Sequence, residues 1–242
     1  MIQFFAPDIA SLPVLPEGES HHAVKVMRMG PGDALEVIDG RGFSYSCLLA
    51  EAHPKHAQVE ILGRTERPLP WQYGLTIGVA PTKHLDRMEW LTEKLTEIGI
   101  NRLIPLLGDR SERRELKTER LQKVAVAAMK QSLKASLPQI DEMTPILRAI
   151  EQCSAAQRFI CYCADDCGER RLLARELRPG ADTCILLGPE GDFSPREVQA
   201  ALAAGFIPVS LGDNRLRTET AALFAASTVH TVNQLSQSSS GK

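Results

Sequence analysis

The sequence lacks any apolar run long enough to cross a bilayer, so it predicts no transmembrane helix. Its first residues also lack a basic segment and are soon interrupted by Pro7, which argues against a secretory signal peptide. We therefore expect a cytoplasmic protein. The 242 residues are 43% hydrophobic, which is sufficient for a sizeable core in one or two domains.

Cysteine, aromatic residues and excess positive charge are also scarce. Six cysteines are too few for a disulfide framework in a chain of this size. Cys161, Cys163 and Cys167 lack the paired CxxC spacing of zinc sites, and His21-His22 has no further ligand cluster nearby, so we expect no metal. A net charge of −2 argues against a strongly basic nucleic-acid-binding protein but does not exclude local basic patches.

The pattern of apolar and turn residues changes near residue 70. Partly alternating apolar segments lie at residues 34–38, 43–49 and 57–62. They are separated by turn residues, which favours a small β-barrel over a helical bundle. The polar, proline-bearing segment 64–72 is the candidate linker. We expect domains at residues 1–68 and 72–235, followed by a disordered tail at 236–242.

After this linker, strand and helix signals alternate. The apolar pattern predicts strands at residues 75–80, 102–107, 158–162, 183–187 and 207–211. It predicts helices at residues 85–98, 119–136, 170–177, 195–204 and 218–232. Ser194, Pro195 and Glu197 supply an N-cap, an N1 proline and an N3 glutamate in the expected order. This alternation predicts an α/β domain with a mostly parallel sheet covered by helices on both faces.

Two glycine turns follow predicted strands and precede predicted helices. The first is Leu-Gly-Pro-Glu-Gly-Asp-Phe-Ser at residues 187–194, and the second begins with Leu-Gly at residues 211–212. Ligands of open α/β sheets bind beyond the carboxyl ends of the strands, so both turns can line one pocket. Neither turn has the GxxxxGK[ST] or GxGxxG spacing of phosphate-binding loops. This argues against a nucleotide-dependent α/β enzyme.

Several sequence blocks carry a more specific resemblance. They are residues 21–28, 32–33, 93–99, 131–132 with Pro138, 188–194, 211–212 and 216–221. In this order the blocks closely resemble the ribosomal RNA small subunit methyltransferase E family of the SPOUT superfamily, over nearly the whole chain. The resemblance implies a PUA-like β-barrel followed by a SPOUT-type α/β domain with a C-terminal trefoil knot. It also implies a homodimer with S-adenosylmethionine as methyl donor.

The substrate implied by the resemblance is N3 of one uridine in 16S (small-subunit) ribosomal RNA, with the assembled subunit favoured as its form. The donor-binding residues would be Leu187, Gly188, Pro189, Glu190, Gly191, Leu211, Gly212, Leu216, Arg217 and Thr218. Uridine N3 is protonated at neutral pH, so its methylation needs a base or a stabilised anion. Our hypothesis is that Arg217 stabilises the developing negative charge, while Glu190 or Glu219 orients the uracil base or accepts its N3 proton. A carboxylate at Glu219 is also favoured simply by its place in the first turn of a helix.

Basic residues suggest where RNA phosphates could bind. The candidates are Lys25 and Arg28 in the barrel and Arg110, Arg113 and Arg114 in the α/β domain. Glutamates interleave with the last three, so a solvated surface with ion pairs is the alternative interpretation.

Two positions depart from the pattern of the family. Asp192 stands where the family usually has glycine, and Asn214 stands near a position where it usually has arginine. Asp192 adds a carboxylate beside Glu190, and Asn214 removes a cation that could have contacted RNA. The alternative function, from another class, is that of a non-catalytic RNA-binding factor in ribosome assembly with the same fold.

Overall fold

The computed structural model describes residues 2–162 and 171–239. The chain forms two compact units, one of residues up to Trp71 together with Val126–Leu137, the other of Gln72–Ala125 and the residues from Pro138 onward. Cys163 and Cys167 lie outside the described residues, as does the start of the helix expected at 170–177.

The first unit contains a four-stranded sheet in the order β1-β2-β3-β4. Its strands are β1 (Gln3–Phe5), β2 (Ala34–Ile38), β3 (Phe43–Glu51) and β4 (Gln58–Glu66). β1 pairs with β2 in parallel, whereas the other two pairings are antiparallel. Leu35 and Val37 of β2 and Tyr45 and Cys47 of β3 alternate into the core, as a period of two requires. β4 continues to Glu66, so the first residues of the expected linker belong to a strand.

A short helical segment of the first unit was not expected from the sequence. Helix α1 (Glu17–His21) continues directly into a π-helical turn at His22–Val26. Ser20 ties this segment to the sheet, because its hydroxyl donates to the carbonyl of Leu15 at 2.8 Å and accepts from the backbone N–H of Ala57 at 2.9 Å.

The second unit is built on an eight-stranded sheet. Its strands are β5 (Leu75–Val79), β6 (Arg102–Leu107), β7 (Gln139–Ile140), β8 (Thr144–Pro145), β9 (Gln157–Cys161), β10 (Arg171–Leu172), β11 (Thr183–Leu187) and β12 (Ile207–Ser210). Their order is β10-β12-β9-β11-β5-β6-β7, with β8 also paired to β6. Every pairing among the described strands of this sheet is parallel. The α/β fold class expected from the sequence is confirmed.

Helices cover both faces of this sheet. The helices of the chain after residue 72 are α2 (Leu85–Ile98), α3 (Thr118–Gln131), α4 (Ile146–Glu151), α5 (Leu173–Glu176), α6 (Pro195–Ala203) and α7 (Thr218–Ser239), and the residues of α3 from Val126 onward belong to the first unit. Leu186 of β11 packs in a cluster with residues of α4 and α6. Its neighbours Ile185 and Leu187 therefore point to the opposite face, where α7 packs against β5 and β11.

Two helix ends differ from the sequence-based expectation. α3 ends at Gln131 instead of near Ser136, and Leu133 just beyond it has a left-handed backbone with φ 56°. α7 runs past the expected end at Val232 to Ser239. The chain has no glycine or proline within α7 that would stop it earlier, so residues 236–239 are helical where a disordered tail was expected. No helix in the described part of the chain is long and apolar enough to span a membrane.

Candidate functional site

The two glycine turns lie at the same edge of the parallel sheet. β11 ends at Leu187 and β12 ends at Ser210, and both strands pair with β9, which lies between them. The hydroxyl of Thr218 donates to the carbonyl oxygen of Gly188 at 3.5 Å. Thr218 is the first residue of α7 and directly follows the second turn, so this hydrogen bond joins the two turns.

The first turn folds back on its own glycine. The ring of Phe193, only 3% exposed, lies against Gly188, where an added Cβ would stand 3.0 Å from the ring and 3.2 Å from the backbone nitrogen of Phe193. The N–H of Asp192 donates to the carbonyl oxygen of Pro189 at 2.8 Å. This close approach requires glycine at position 188, since a side chain would push the turn open.

The backbone explains the departure at Asp192. This residue has φ 61°, in the left-handed region that glycine adopts without cost. Asp and Asn are the side chains that tolerate this region best. The Asp192 carboxylate accepts a hydrogen bond from the backbone N–H of Phe193 at 2.8 Å. The substitution is therefore compatible with the turn.

The second turn leaves most of its side chains exposed. Gly212 has φ 111°, which favours glycine, and its N–H donates to the hydroxyl of Ser210 at 3.0 Å. Leu211 and Leu216 are half-buried, whereas the Arg217 side chain is exposed. Asn214, the second departure, is also exposed, and nothing in the structure explains it.

The helix after the first turn is fixed by the expected capping box. Ser194 Oγ accepts from the N–H of Glu197 at 3.4 Å, and the Glu197 carboxylate accepts from the N–H of Ser194 at 2.7 Å. Ser194 Oγ also donates to the carboxylate of Asp109 at 2.7 Å, while the N–H of Asp109 donates to Glu197 at 2.8 Å. The hydrogen bond from Ser194 and the nearby Arg196 guanidinium lower the pKa of Asp109. The loop after β6 is thereby tied to the start of α6.

Two of the expected RNA-binding arginines make hydrogen bonds to the backbone, and one of them, Arg110, contacts the first glycine turn. The Arg110 guanidinium donates to the carbonyl oxygens of Gly191 at 3.1 Å and Phe193 at 3.2 Å. The Arg113 guanidinium donates to the carbonyl oxygens of residues 82 and 83, at 3.2 and 2.6 Å. Both arginines hold backbone in place, although Arg110 remains largely exposed.

The other three basic candidates have exposed side chains. Lys25 and Arg28 lie in the first unit, in and just after the π-helical turn, and Arg28 has a left-handed backbone with φ 57°. Arg114 lies in the second unit, in the loop before α3. Their exposure leaves their charges accessible to a polyanion.

Glu219 is the most deeply buried of the expected catalytic groups. It is 7% exposed, and its Oε1 lies 3.7 Å from Nε of Arg87. Its Oε2 is buried and has no hydrogen-bond partner within the described residues. Glu190, by contrast, is exposed. A buried carboxylate oxygen without a donor is costly, so Oε2 can accept a hydrogen bond from a bound ligand.

Sequence reasoning missed Arg87 and Asp109 as parts of the site. Each contacts a residue far away in the sequence, Glu219 and Ser194 respectively. Neither lies within a recognisable motif, so no sequence signal could have predicted these pairings. Among the described residues, no group of three or more His, Cys, Asp or Glu side chains could hold a metal ion.

Comparison with known families gives matches over both units. Residues 69–230 match a family model described as an RNA methyltransferase domain. Residues 15–62 match a second model, described as an RNA methyltransferase PUA domain.

Individual relatives match over most of their length. The curated ribosomal RNA small subunit methyltransferase E of Bacillus subtilis is 27% identical over 224 residues, which cover 87% of this chain and 86% of the relative. A crystal structure of a probable rRNA-methyltransferase from Porphyromonas gingivalis has a TM-score of 0.92 at 44% identity, covering 98% of this chain and 100% of that one. The ribosomal RNA small subunit methyltransferase E from Neisseria gonorrhoeae, crystallised bound to S-adenosyl methionine, has a TM-score of 0.82 at 25% identity, covering 96% and 98%.

Proposed function

This chain belongs to the RNA methyltransferase family, and on that premise we propose that it transfers a methyl group from S-adenosylmethionine to N3 of a uridine in 16S ribosomal RNA. The observation that carries the proposal is the pair of glycine turns, joined by the Thr218–Gly188 hydrogen bond at the carboxyl edge of the sheet. A relative crystallised with the same donor and relatives named for the small-subunit RNA support the choice of ligand and substrate.

The residues of the two turns fit a donor with an apolar base and a cationic centre. Leu211 and Leu216 are half-buried and offer apolar surface for adenine, while Gly188 and Gly212 leave backbone groups within reach. The donor supplies an electrophilic methyl group on a sulfonium. The exposed carboxylate of Glu190 would favour that positive charge. Leu187, Pro189, Gly191, Arg217 and Thr218 complete the set that we assign to donor binding.

The catalytic roles rest on charge and accessibility. Methylation at N3 requires the loss of a proton, so negative charge develops on the uracil ring. The Arg217 guanidinium is exposed at the end of the second turn and stabilises that charge. The unpartnered Oε2 of Glu219 accepts a hydrogen bond that orients the uracil base or takes up its N3 proton. Glu190 is the alternative to Glu219 for accepting this proton.

RNA binding is assigned to exposed cations. Lys25, Arg28 and Arg114 contact phosphates. Arg110 holds the first turn and Arg113 holds the backbone at residues 82–83, so these two reach RNA only with the N–H groups that those contacts leave over. The match of residues 15–62 to a PUA model supports a role of the first unit in this binding.

Further features of the family belong to the same proposal. They are the domain boundaries at residues 1–68 and 72–235, the trefoil knot, the assembled small subunit as substrate, and a cytoplasmic location. A homodimer belongs to the same proposal.

The test is to map N3-methyluridine in 16S ribosomal RNA from a strain that lacks the gene, by primer extension and mass spectrometry. We expect one methylated uridine to be lost and to return when the wild-type gene is supplied. An unchanged signal would contradict the proposal. If the protein is instead a non-catalytic assembly factor, calorimetry will show RNA binding without S-adenosylmethionine binding.

A further inference from the structure

A second cluster of reactive groups lies at the amino ends of the strands of the large sheet, opposite the glycine turns. Cys153 follows α4, and Cys184 is the second residue of β11. Both line a cavity of about 50 Å³ together with Thr76 of β5, Arg102 of β6 and Asp141. These strand residues lie at the amino ends of their strands, whereas the glycine turns lie at the carboxyl ends. The cavity therefore has no part in the proposed methyl transfer.

The two thiols line the same cavity and have unequal acidity. The hydrogen bond from Cys184 lowers the pKa of Cys153, and the backbone N–H of Ala155 and the guanidinium groups of Arg158 and Arg102 act in the same direction, against the effect of burial. The same hydrogen bond and its own burial raise the pKa of Cys184. Cys153 is thus the thiolate of the pair and Cys184 the thiol.

The cations beside the pair are held in place by other contacts. Arg158 donates to the carbonyl oxygens of Ala155 and Ala204, at 3.0 Å each. Arg102 Nε donates to both carboxylate oxygens of Asp141, at 3.0 and 3.1 Å. Because these guanidinium groups cannot swing away freely, they keep favouring negative charge on Cys153.

The size of the cavity restricts what can reach the thiolate. A water molecule needs about 10–15 Å³ of such volume, so a cavity of about 50 Å³ has room for about three to five water-sized groups. Hydrogen peroxide fits this limit. A tripeptide disulfide such as glutathione disulfide does not.

We propose that Cys153 and Cys184 form a redox modification site whose oxidant is hydrogen peroxide. The Cys153 thiolate attacks one peroxide oxygen, the O–O bond breaks, and hydroxide leaves and takes up a proton from solvent. Cys153 is then a sulfenic acid. The Cys184 sulfur attacks the sulfenic sulfur, an S–S bond forms, and the hydroxyl leaves as water with the Cys184 proton. Two thiols lose two electrons, and the peroxide is reduced to two waters.

Peptide mapping of the full-length protein tests this site. The protein is treated with hydrogen peroxide at pH 7, remaining thiols are blocked with N-ethylmaleimide, and the product is digested with trypsin. Cleavage after Arg148 and Arg158 isolates Cys153, and cleavage after Arg175 and Arg196 isolates Cys184, with no other cysteine on either peptide. We expect the Cys153–Cys184 cross-linked pair with peroxide and none with glutathione disulfide. Absence of that pair after peroxide treatment would overturn the proposal.

Variants separate the two steps and provide an internal control. In Cys184→Ser the resolving thiol is missing, so Cys153 should accumulate as a sulfenic acid that dimedone labels. In Cys153→Ser, Cys184 should stay reduced. Burial raises the pKa of Cys47 to about 11, so we expect Cys153 to react about tenfold or more faster than Cys47 in the same sample. Equal rates at the two positions would refute the assignment of Cys153 as the reactive thiolate.

Discussion

Arg87 Nε lies 3.7 Å from Oε1 of Glu219, which pairs the first turn of α2 with the first turn of α7. The Glu219 side chain is 9% exposed and that of Arg87 is 31% exposed, so this ion pair is better shielded from water than an ordinary surface pair. The other carboxylate oxygen stays unpartnered within the described residues and is the one available to a ligand.

We first predict that Arg87→Met destabilises the fold, because it leaves the Glu219 carboxylate buried beside an apolar side chain. Since Arg87 is partly exposed, the expected loss is about 1–2 kcal/mol, below the range for a fully buried pair. Urea denaturation measures it. The double variant Arg87→Met/Glu219→Gln should lose less than the sum of the single variants. Strict additivity would show that the pair does not interact.

The second prediction concerns Arg217. Arg217→Ala should lower the rate of methyl transfer by about 100-fold, because removing one group that stabilises developing charge typically costs that much. Because we also assign Arg217 to donor binding, the donor affinity of the variant is measured separately by calorimetry, and the rates are compared at saturating donor. Arg215 is a matched control, since it is an exposed arginine two positions earlier in the same turn. Undiminished turnover in Arg217→Ala, or an equal loss in Arg215→Ala, would rule out a specific catalytic role.

A third prediction follows from the close packing at Gly188. Gly188→Ala should destabilise the protein by about 1–3 kcal/mol, because its Cβ would stand 3.0 Å from the buried Phe193 ring. Donor affinity should fall as well, since the first turn must open. Gly18→Ala is the control, because a Cβ there meets no atom within 4 Å and alanine is a better helix former than glycine. Wild-type donor binding by Gly188→Ala would count against a donor site at this turn.

The left-handed backbone at Asp192 gives a fourth prediction. Asp192→Gly should be close to neutral for stability, because glycine adopts φ 61° freely and offsets the lost hydrogen bond to Phe193. Asp192→Ala should cost about 1 kcal/mol or more, since alanine keeps the strain and loses the bond. Thermal unfolding of both variants checks the order. A more stable alanine variant would contradict it.

The fifth prediction concerns pH. The Asp109 pKa is lowered in the folded protein, so its contribution to stability is present above the unfolded pKa and is lost as pH falls through the folded value. Ser194→Ala removes the largest cause of the shift and should raise the Asp109 pKa toward its ordinary value. Carboxyl NMR titration measures this change. An unaltered titration would mean that Ser194 does not stabilise the carboxylate.

Local features of the structure were predicted well from the sequence. The helix at Leu85–Ile98, the strand at Thr183–Leu187 and the capping box at Ser194 match the expected elements. Each depends on periodicity or on hydrogen bonds between residues a few positions apart, so the signal lies within a short window. The shortest elements, such as β7 and α4, were missed because two to six residues give too little periodicity.

The sequence by itself determined the α/β class, the order of most elements and the two glycine turns, because these follow from local pattern and from resemblance to a family. Only the tertiary structure decided that Arg87 pairs with Glu219, that Arg110 holds the first turn, and that Cys153 and Cys184 line one cavity. Strand order and helix packing bring these distant residues together. No short stretch of sequence encodes that geometry, because it arises when the whole sheet forms.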